Sequence, residues 1–474
     1  MRKSMPGTLR GYRILAILLL CGAVFLAYPW RARLQVGEWT FPLDDPWIHQ
    51  VYARNLARFH CYAFNPCEPG TGSSAPLWTL LMVPPHLFGW DPVVWALVLG
   101  LLSLAGLGWV VWRWGEERFP SPIPAVLTAA LLLSPQVSWA GTEGMETALA
   151  ACLATFILWR LGRQWTRWTD AFLEGALLGA LLWLRPEAPL LALVSLWQRR
   201  REKPLRLAGW LVALSVLTAP YVAFHLRTGG RVLPQTVYAK AAYYARPISL
   251  QSLGSFLHGL ALSFGPGIWP LAVLLLALGV ISMVRARERV WGPALLWSAL
   301  TLLVAAWRMP VVLHFGRHFV PVVPALLLVS GEGWRMLPKR MRWAVGAAAA
   351  ILAFEGLVIG SALYSGGCQM LAEGQLAMGR YIRAQVPLGE PIATHDVGAI
   401  GYFGEHPVVD TMALVTPELT PVLALHDDQA LWGYLQQRNV HYLAALEGLH
   451  PAICAMPGVQ EIVRYGRMSL YRLP

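Results

Sequence analysis

The sequence predicts a polytopic α-helical membrane protein of roughly eleven transmembrane helices, followed by a small C-terminal extracytoplasmic α/β domain. Three observations carry this. The 474 residues are 56% hydrophobic, with a mean hydropathy of +0.48. Only 14% are charged, far below the roughly 25% of soluble domains. The basic residues gather in short stretches between apolar runs, which is the positive-inside pattern. The formal net charge of +12 therefore reads as membrane topology, and nucleic acid is excluded as a partner.

Runs of about 17–25 apolar residues serve as the template for a span. They place spans at Tyr12–Trp30, Pro92–Trp112, Ser121–Ala140 and Gly144–Leu161. Two shorter ones follow, Ala171–Leu184 and Pro186–Trp197, and then Leu205–Leu226, Gly267–Val284, Trp291–Trp307, Phe319–Trp334 and Trp343–Tyr364. The basic start followed by a full-length apolar stretch reads as an uncleaved anchor with its N-terminus cytoplasmic. "RLGRQWTRW", "RRREKPLR", "RARER" and "RMLPKRMR" then belong inside. That parity holds if the short, proline-broken segment Pro76–Trp90 does not fully cross; if it does cross, one later boundary moves.

The expected organisation is a membrane domain over 1–364 with outer loops at 31–75 and 227–266, and an extracytoplasmic domain over 365–474. In that tail "EPIATHDVGAIGYFGEHPVVDTMAL" alternates short β-type runs with a Gly-rich turn and a helix. "LWGYLQQRNVHYLAAL" reads as helix then strand, and "EIVRYGRMSLYRL" as a terminal hairpin. "GAIGYFG" lacks the dinucleotide fingerprint. Four cysteines fall outside, and in an oxidising compartment they are expected to pair as Cys61–Cys67 and Cys368–Cys454.

The segment "FPLDDPWIHQVYARNLARF" opens with two adjacent carboxylates, Asp44 and Asp45. Behind them, Trp47, Ile48, Val51, Tyr52, Leu56 and Phe59 mark an apolar helical face, and Arg54 and Arg58 a basic one. The pattern predicts an amphipathic helix along the membrane surface, with Pro46 at its first position. One aspartate as a cap would explain one carboxylate. Two adjacent carboxylates repel, which favours a general base taking a proton from a hydroxyl acceptor. Either Asp44 or Asp45 would alternatively coordinate a divalent cation or orient the acceptor; no other cofactor is implied.

The same loop continues as "FNPCEPGTGSSAPLWTLL". With the paired acids and "YARNLA", it resembles the GT-C superfamily of membrane glycosyltransferases. The motifs are most similar to bacterial members that include the mycobacterial terminal arabinosyltransferases. Protein mannosyltransferases and lipid A aminoarabinose transferases are more distant. "SWAGTEGMETALAA", "WLRPEAPLLAL", "LPQTVYAKAA", "GRHFVPVVPALLLV" and "THDVGAIGYFGEHPVVDTMALVTPEL" extend the resemblance in order along most of the chain. Pro46, "GTGSS" and the cysteines depart from the pattern and bear on the acceptor. The resemblance implies a GT-C-like fold and a polyprenyl-phosphate-linked sugar donor. It also implies an inverting transfer at the outer face of the cytoplasmic membrane, with a cell-envelope glycan, lipid or protein as acceptor and membrane lipid as surroundings. The absence of a DxD motif in the inner loops agrees with a lipid-linked donor.

Further candidates lie at outer helix ends. Arg185, Lys240, Arg317 and His318 are cationic or protonatable groups suited to the donor phosphate. Glu146, Glu187 and His49 are candidates for orienting substrate or base. Glu143 is a weaker counterpart of Glu146, and His314 is expected to be interfacial. Structural readings stand beside each: a helix-terminal charge for Glu146, an Arg–Glu pair joining two helices for Arg185 and Glu187, a snorkelling Lys240 and a core His49. The rival classes are a lipid or sugar transporter or flippase, which would show inverted repeats and midspan charges, and a scaffold without activity.

Overall fold

Uncharged runs of Leu, Val, Ala and Trp satisfy their backbone polar groups internally as helices, the form a lipid environment requires. The computed structural model describes residues 7–244, 250–263, 269–287, 290–308, 312, 314–425 and 427–474. Parts of the second outer loop, the end of "RARER" and the start of the Gly267–Val284 run therefore lie outside the described residues, as does the side chain of His314. Four described helices are long and apolar enough to span a membrane: Gly11–Val36, Pro92–Arg118, Pro204–Gly229 and Lys339–Gln385. Ile123–Leu132 and Pro135–Thr142 are long and apolar enough only when taken together, and they are bent by 58° at the break between them. Thr147–Leu161, Pro270–Ala286 and Gly292–Trp307 are shorter apolar helices. The chain is a multi-pass membrane protein. Pro76–Trp90 forms two helices of six residues, Pro76–Leu81 and Val83–Phe88. At 1.5 Å per residue each spans about 9 Å, against a hydrocarbon core of about 30 Å.

The chain divides into two units. The first comprises Met1–Arg31, Leu97–Thr218 and Pro247–Tyr364. Its helices meet through small residues. A Cβ on Gly279 would collide with the carbonyl of Val329, and one on Gly333 with that of Leu275. The helices carrying them thus touch backbone to backbone. One buried charge pair here is closed on itself. Glu174 accepts from Arg199 at 2.7 Å, Ser195 at 2.8 Å and Trp165 at 2.9 Å.

The second unit comprises Ala32–Ala96, Ala219–Arg246 and Ser365–Pro474. It contains one five-stranded sheet: β1 (Ile392–Thr394), β2 (Val408–Asp410), β3 (Tyr442–Leu446), β4 (Gln460–Tyr465) and β5 (Met468–Arg472), in the order β2-β1-β3-β5-β4. β1 runs parallel to β2 and β3; β5 is antiparallel to β3 and β4. The terminal hairpin turns at Gly466, whose φ of +53° suits a residue without a side chain.

Two expectations are corrected in this unit. The helix Asp45–Phe59 does not lie on a surface with a basic face in solvent. Every residue from Pro46 to Asn55, Arg54 included, is buried. The helix Val397–Gly404 covers it, with Trp47 packed against Tyr402 and Phe403, each at 4.8 Å between ring centroids. Apolar periodicity marks a covered face, but the cover here is protein. Of the two expected disulfides, Cys61–Cys67 is formed, whereas Cys368 and Cys454 are not joined to each other. Cys368 is still inside the long helix Lys339–Leu371, with Sγ facing the Thr40 carbonyl at 3.8 Å. Cys454 packs beside the Leu449 carbonyl at 3.9 Å. Even cysteine counts do not fix distance, and a disulfide needs the two Cα atoms within about 7 Å.

Candidate functional site

Each unit holds a cluster of the residues singled out above. In the second unit the two adjacent aspartates have different partners. The Asp44 carboxylate accepts from the backbone N–H groups of Gly398 and Ala399, both at 2.7 Å. These open the helix Val397–Gly404, so Asp44 serves as a cap supplied from another segment. The fit requires glycine, because a Cβ on Gly398 would strike the Asp44 carbonyl. Burial, then the nearby charge of Asp396, push the Asp44 carboxyl up, against the pull of the two amide bonds.

Asp45, the next residue, retains 30% of its side-chain surface and faces the Lys240 ammonium at 3.8 Å. Lys240 is brought there by the helix Gln235–Tyr243. Gln235, its first residue, anchors that helix by donating: its N–H donates to the Thr71 carbonyl at 3.1 Å, and its side-chain amide donates to the Ala413 carbonyl at 3.0 Å and Thr420 Oγ1 at 2.8 Å. A third carboxylate, Asp396, immediately precedes the helix Val397–Gly404 whose first amides engage Asp44. It accepts from Gln375 at 2.6 Å and pairs with His395 Nε2 at 3.2 Å. Burial opposes its charge, but His395 and Gln375 win and hold the carboxyl below the ordinary range.

His49 is 2% exposed, and its Nδ1 sits 2.9 Å from Thr79 and 3.2 Å from Ser73. It ties the loop ahead of the helix Pro76–Leu81 to the helix Asp45–Phe59. At the far end of that helix Arg54 donates to the Tyr402 carbonyl at 2.6 Å and that of Gly401 at 3.2 Å. Arg58, Arg383 and Arg54 converge on Glu405 at 3.0, 2.7 and 3.5 Å.

In the first unit, the break between Pro135–Thr142 and Thr147–Leu161 turns two acidic residues, Glu143 and Glu146, inward. Glu146 pairs with Arg185 at 3.3 Å, with 2% and 10% of their side chains exposed. Arg185 also donates to Thr147 at 3.0 Å and stands 3.5 Å from His318 Nδ1. Thr147 in turn donates to Glu143 at 2.6 Å. Arg317, 3% exposed, donates to the thioether of Met145 at 2.9 Å, a weak acceptor for a guanidinium. Arg185, Glu187 and His318 line a small cavity with Trp297 and Thr301, and Glu187 Oε2 is buried without a hydrogen-bond partner among the described residues. Unlike the closed Glu174–Arg199 pair, this cluster borders open space.

Among the described residues no three His, Cys, Asp or Glu side chains are grouped to hold a metal ion. Amide N–H groups engage Asp44, and the Lys240 ammonium faces Asp45. Sequence reasoning missed His395, Asp396 and Gln375. The first two lie in the "THDVG" segment, whose acid and imidazole were visible but far along the chain from Asp44.

The tail, residues 368–469, matches a family model described as a domain of unknown function, DUF8728. No curated protein sequence matches the chain. Solved structures do. ArnT from Cupriavidus metallidurans bound to undecaprenyl phosphate aligns with a TM-score of 0.63 at 15% identity, covering 98% of each chain. The archaeal oligosaccharyltransferase AglB from Archaeoglobus fulgidus, in complex with an inhibitory peptide and a dolichol-phosphate, aligns at 0.60 and 10% identity over 93% of this chain and 70% of that one. Arabinofuranosyltransferase AftD from Mycobacteria aligns at 0.55 and 16% identity over 98% of this chain and 41% of that one. The fold is GT-C-like.

Proposed function

We propose that this chain is a membrane glycosyltransferase that moves a sugar from a polyprenyl-phosphate donor to a hydroxyl acceptor at the outer face of the cytoplasmic membrane. The observation that carries the reading is the division of labour in the aspartate pair. Asp44 is engaged at both oxygens by a helix N-terminus, while Asp45 remains at the surface beside a lysine. The likeness in fold to ArnT with undecaprenyl phosphate and to AglB with a dolichol-phosphate supports the lipid-linked donor.

In this reading Asp45 is the base. Its carboxylate takes the proton of the acceptor hydroxyl as that oxygen bonds to the anomeric carbon, and the carbon–phosphate oxygen bond breaks with its electron pair leaving on the phosphate. One displacement inverts the centre. Lys240 favours the ionised form of Asp45. In the first unit Arg185 and Arg317, with His318, are the groups suited to stabilising phosphate charge, a term as large as general base catalysis. Glu146 and Thr147 hold the Arg185 fork in one orientation, which makes Glu146 a positioning residue.

The test is transfer of radiolabelled sugar from a panel of polyprenyl-phosphate sugars by the purified chain in proteoliposomes. Wild type should transfer from at least one donor, and Asp45→Asn should lose at least about 100-fold, in the range of a removed general base. Full transfer by Asp45→Asn would remove Asp45 from the role. Movement of the intact donor across the bilayer without transfer would favour a flippase.

A further inference from the structure

Trp297 and Thr301 lie four residues apart on the helix Gly292–Arg308, so they share one face. Glu187 immediately precedes the helix Ala188–Arg199, which packs against that helix. The three side chains line one small cavity of the first unit together with Arg185 and His318. Each carries a buried atom without a hydrogen-bond partner among the described residues: Glu187 Oε2, Trp297 Nε1 and Thr301 Oγ1. Trp297 is 4% exposed and Thr301 7%. Several counterparts in the same unit are satisfied. Thr128, Thr155 and Ser330 each donate to the carbonyl four residues back, at 2.9, 2.7 and 3.0 Å, the usual resort of a hydroxyl in an apolar helix. Trp183 and Trp291 donate to the Leu217 carbonyl at 2.8 Å and to Glu332 at 3.1 Å. Thr301 makes no such bond to its own helix, and Trp297 finds no such acceptor. The cavity gives the centre of a water-sized sphere about 20 Å³, room for one oxygen-sized group where about 10–15 Å³ is the minimum.

We propose that this cavity is a subsite for one hydroxyl group of the donor's sugar, read by Glu187, Trp297 and Thr301. The inference rests on the reading of Arg185 as a group that holds the donor phosphate. The chemistry of the lining selects a hydroxyl. The Trp297 N–H only donates, and the Glu187 carboxylate only accepts. A hydroxyl answers both: its oxygen accepts from Trp297 and its hydrogen goes to Glu187. Thr301 donates to the lone pair that remains. An anionic group would meet the Glu187 carboxylate. An ammonium would meet the Trp297 N–H and the Arg185 guanidinium. An apolar group would leave all three buried atoms unpaired. The position suits a sugar, because Arg185 lines the same cavity and a sugar joined to phosphate through its anomeric carbon carries hydroxyls beside that link. The subsite therefore selects a neutral hydroxylated sugar over one that is deoxygenated or aminated at that position. A site built to hydrogen-bond a hydroxyl rejects the analogue without it far more strongly than an apolar pocket separates homologues.

The experiment is lipid binding by the purified full chain in nanodiscs, read by native mass spectrometry. The probes are undecaprenyl phosphate bearing glucose, mannose or arabinose, and bare undecaprenyl phosphate. Wild type should hold at least one sugar-bearing lipid about tenfold tighter than the bare one, or more. Thr301→Val and Trp297→Phe should each lose most of that preference while binding the bare lipid as wild type does. Ser298→Ala is the control and should keep it, since Ser298 Oγ is also buried and unpartnered among the described residues but does not line the cavity. Thermal unfolding without lipid is recorded for each variant, and Trp297→Phe carries the test if Thr301→Val does not fold. A preference kept in the folded variants, as for a cavity that takes only water, overturns the proposal. So does a loss that falls equally on bare and sugar-bearing lipid, or a wild type without preference. A wild type that prefers a sugar-bearing lipid through Thr301 and Trp297, yet transfers no sugar, defeats the transferase reading and supports the subsite.

Discussion

Asp44 and Arg54, both contributed by the segment around the helix Asp45–Phe59, hold opposite ends of one eight-residue helix, Val397–Gly404. Asp44 accepts from its first amides and Arg54 donates to its last carbonyls. The signs match the helix dipole, anion at the N-terminus and cation at the C-terminus. Short helices leave most of their end groups unpaired, so this one depends on the clamp. One of the two adjacent acids that the sequence marks as candidate bases is therefore half of a structural grip.

Asp44→Ala should destabilise the second unit by about 1–3 kcal/mol, because it strands two amides. Asp45→Asn should change stability by less than about 1 kcal/mol, the scale of a partly exposed ion pair. Chemical unfolding followed by a tail-specific probe separates the two. Equal losses in both variants would contradict the division of labour in the pair.

Gly398→Ala should be as damaging as Asp44→Ala although it removes no hydrogen bond. The added methyl would meet the Asp44 carbonyl, with Asp44 Oδ2 at 2.9 Å and Trp47 Cβ at 3.0 Å behind it. Gly433→Ala, whose Cβ would meet nothing within 4 Å, is the matched control and should unfold like wild type.

Acid should loosen this unit through Glu405. Although its partial burial pushes the other way, bonds from Arg58 and Arg383, with Arg54 near, hold its carboxyl below the ordinary range. A depressed folded value contributes stability above the unfolded carboxyl range of about 4.3, and that contribution is lost as pH falls through the folded value. Unfolding midpoints measured from pH 7 down to pH 3 should fall more steeply in wild type than in Glu405→Gln. The gap between the two should narrow at 1 M salt, since the residue is partly exposed.

Arg185→Lys should cost transfer more than it costs folding. Lysine keeps the charge but not the fork that reaches Glu146, Thr147 and His318 together. The expected result is a fall in kcat/KM of at least about 10-fold, on the scale of one lost charged hydrogen bond, with an unfolding midpoint close to wild type. Arg185→Ala would instead remove the guanidinium partner of the buried Glu146, at a cost of about 3–5 kcal/mol.

Thiol labelling after denaturation without reductant should modify Cys368 and Cys454 and spare Cys61 and Cys67. Replacing Cys61 and Cys67 together by Ser should cost about 2 kcal/mol, the chain-entropy value for so short a loop. A mass shift showing a Cys368–Cys454 bridge would contradict the arrangement of the tail.

Much of the fold was legible because membrane helices are written in unbroken stretches of apolar residues. The start of Pro92–Arg118 and the terminal hairpin turn at Gly466 both follow from local pattern. The helix Asp45–Phe59 was legible as a helix with Pro46 near its start. What covers it was not, since periodicity records that a face is hidden and not by what. The candidate residues were legible as types, because charges at apolar helix ends are costly and few. Their partners were not. Glu146 finds Arg185 and Lys240 finds Asp45 only through folding.

By itself the sequence determined a multi-pass helical chain, the positions of its apolar segments, and a short list of charged groups that such a chain would not keep without cause. Only the tertiary structure decided which aspartate of the adjacent pair caps a helix and which cysteines meet. The reason is range. Helix formation and apolar burial are set by residues within a few turns, whereas Asp44 and Gly398 are 354 positions apart. No local property of either one specifies the other.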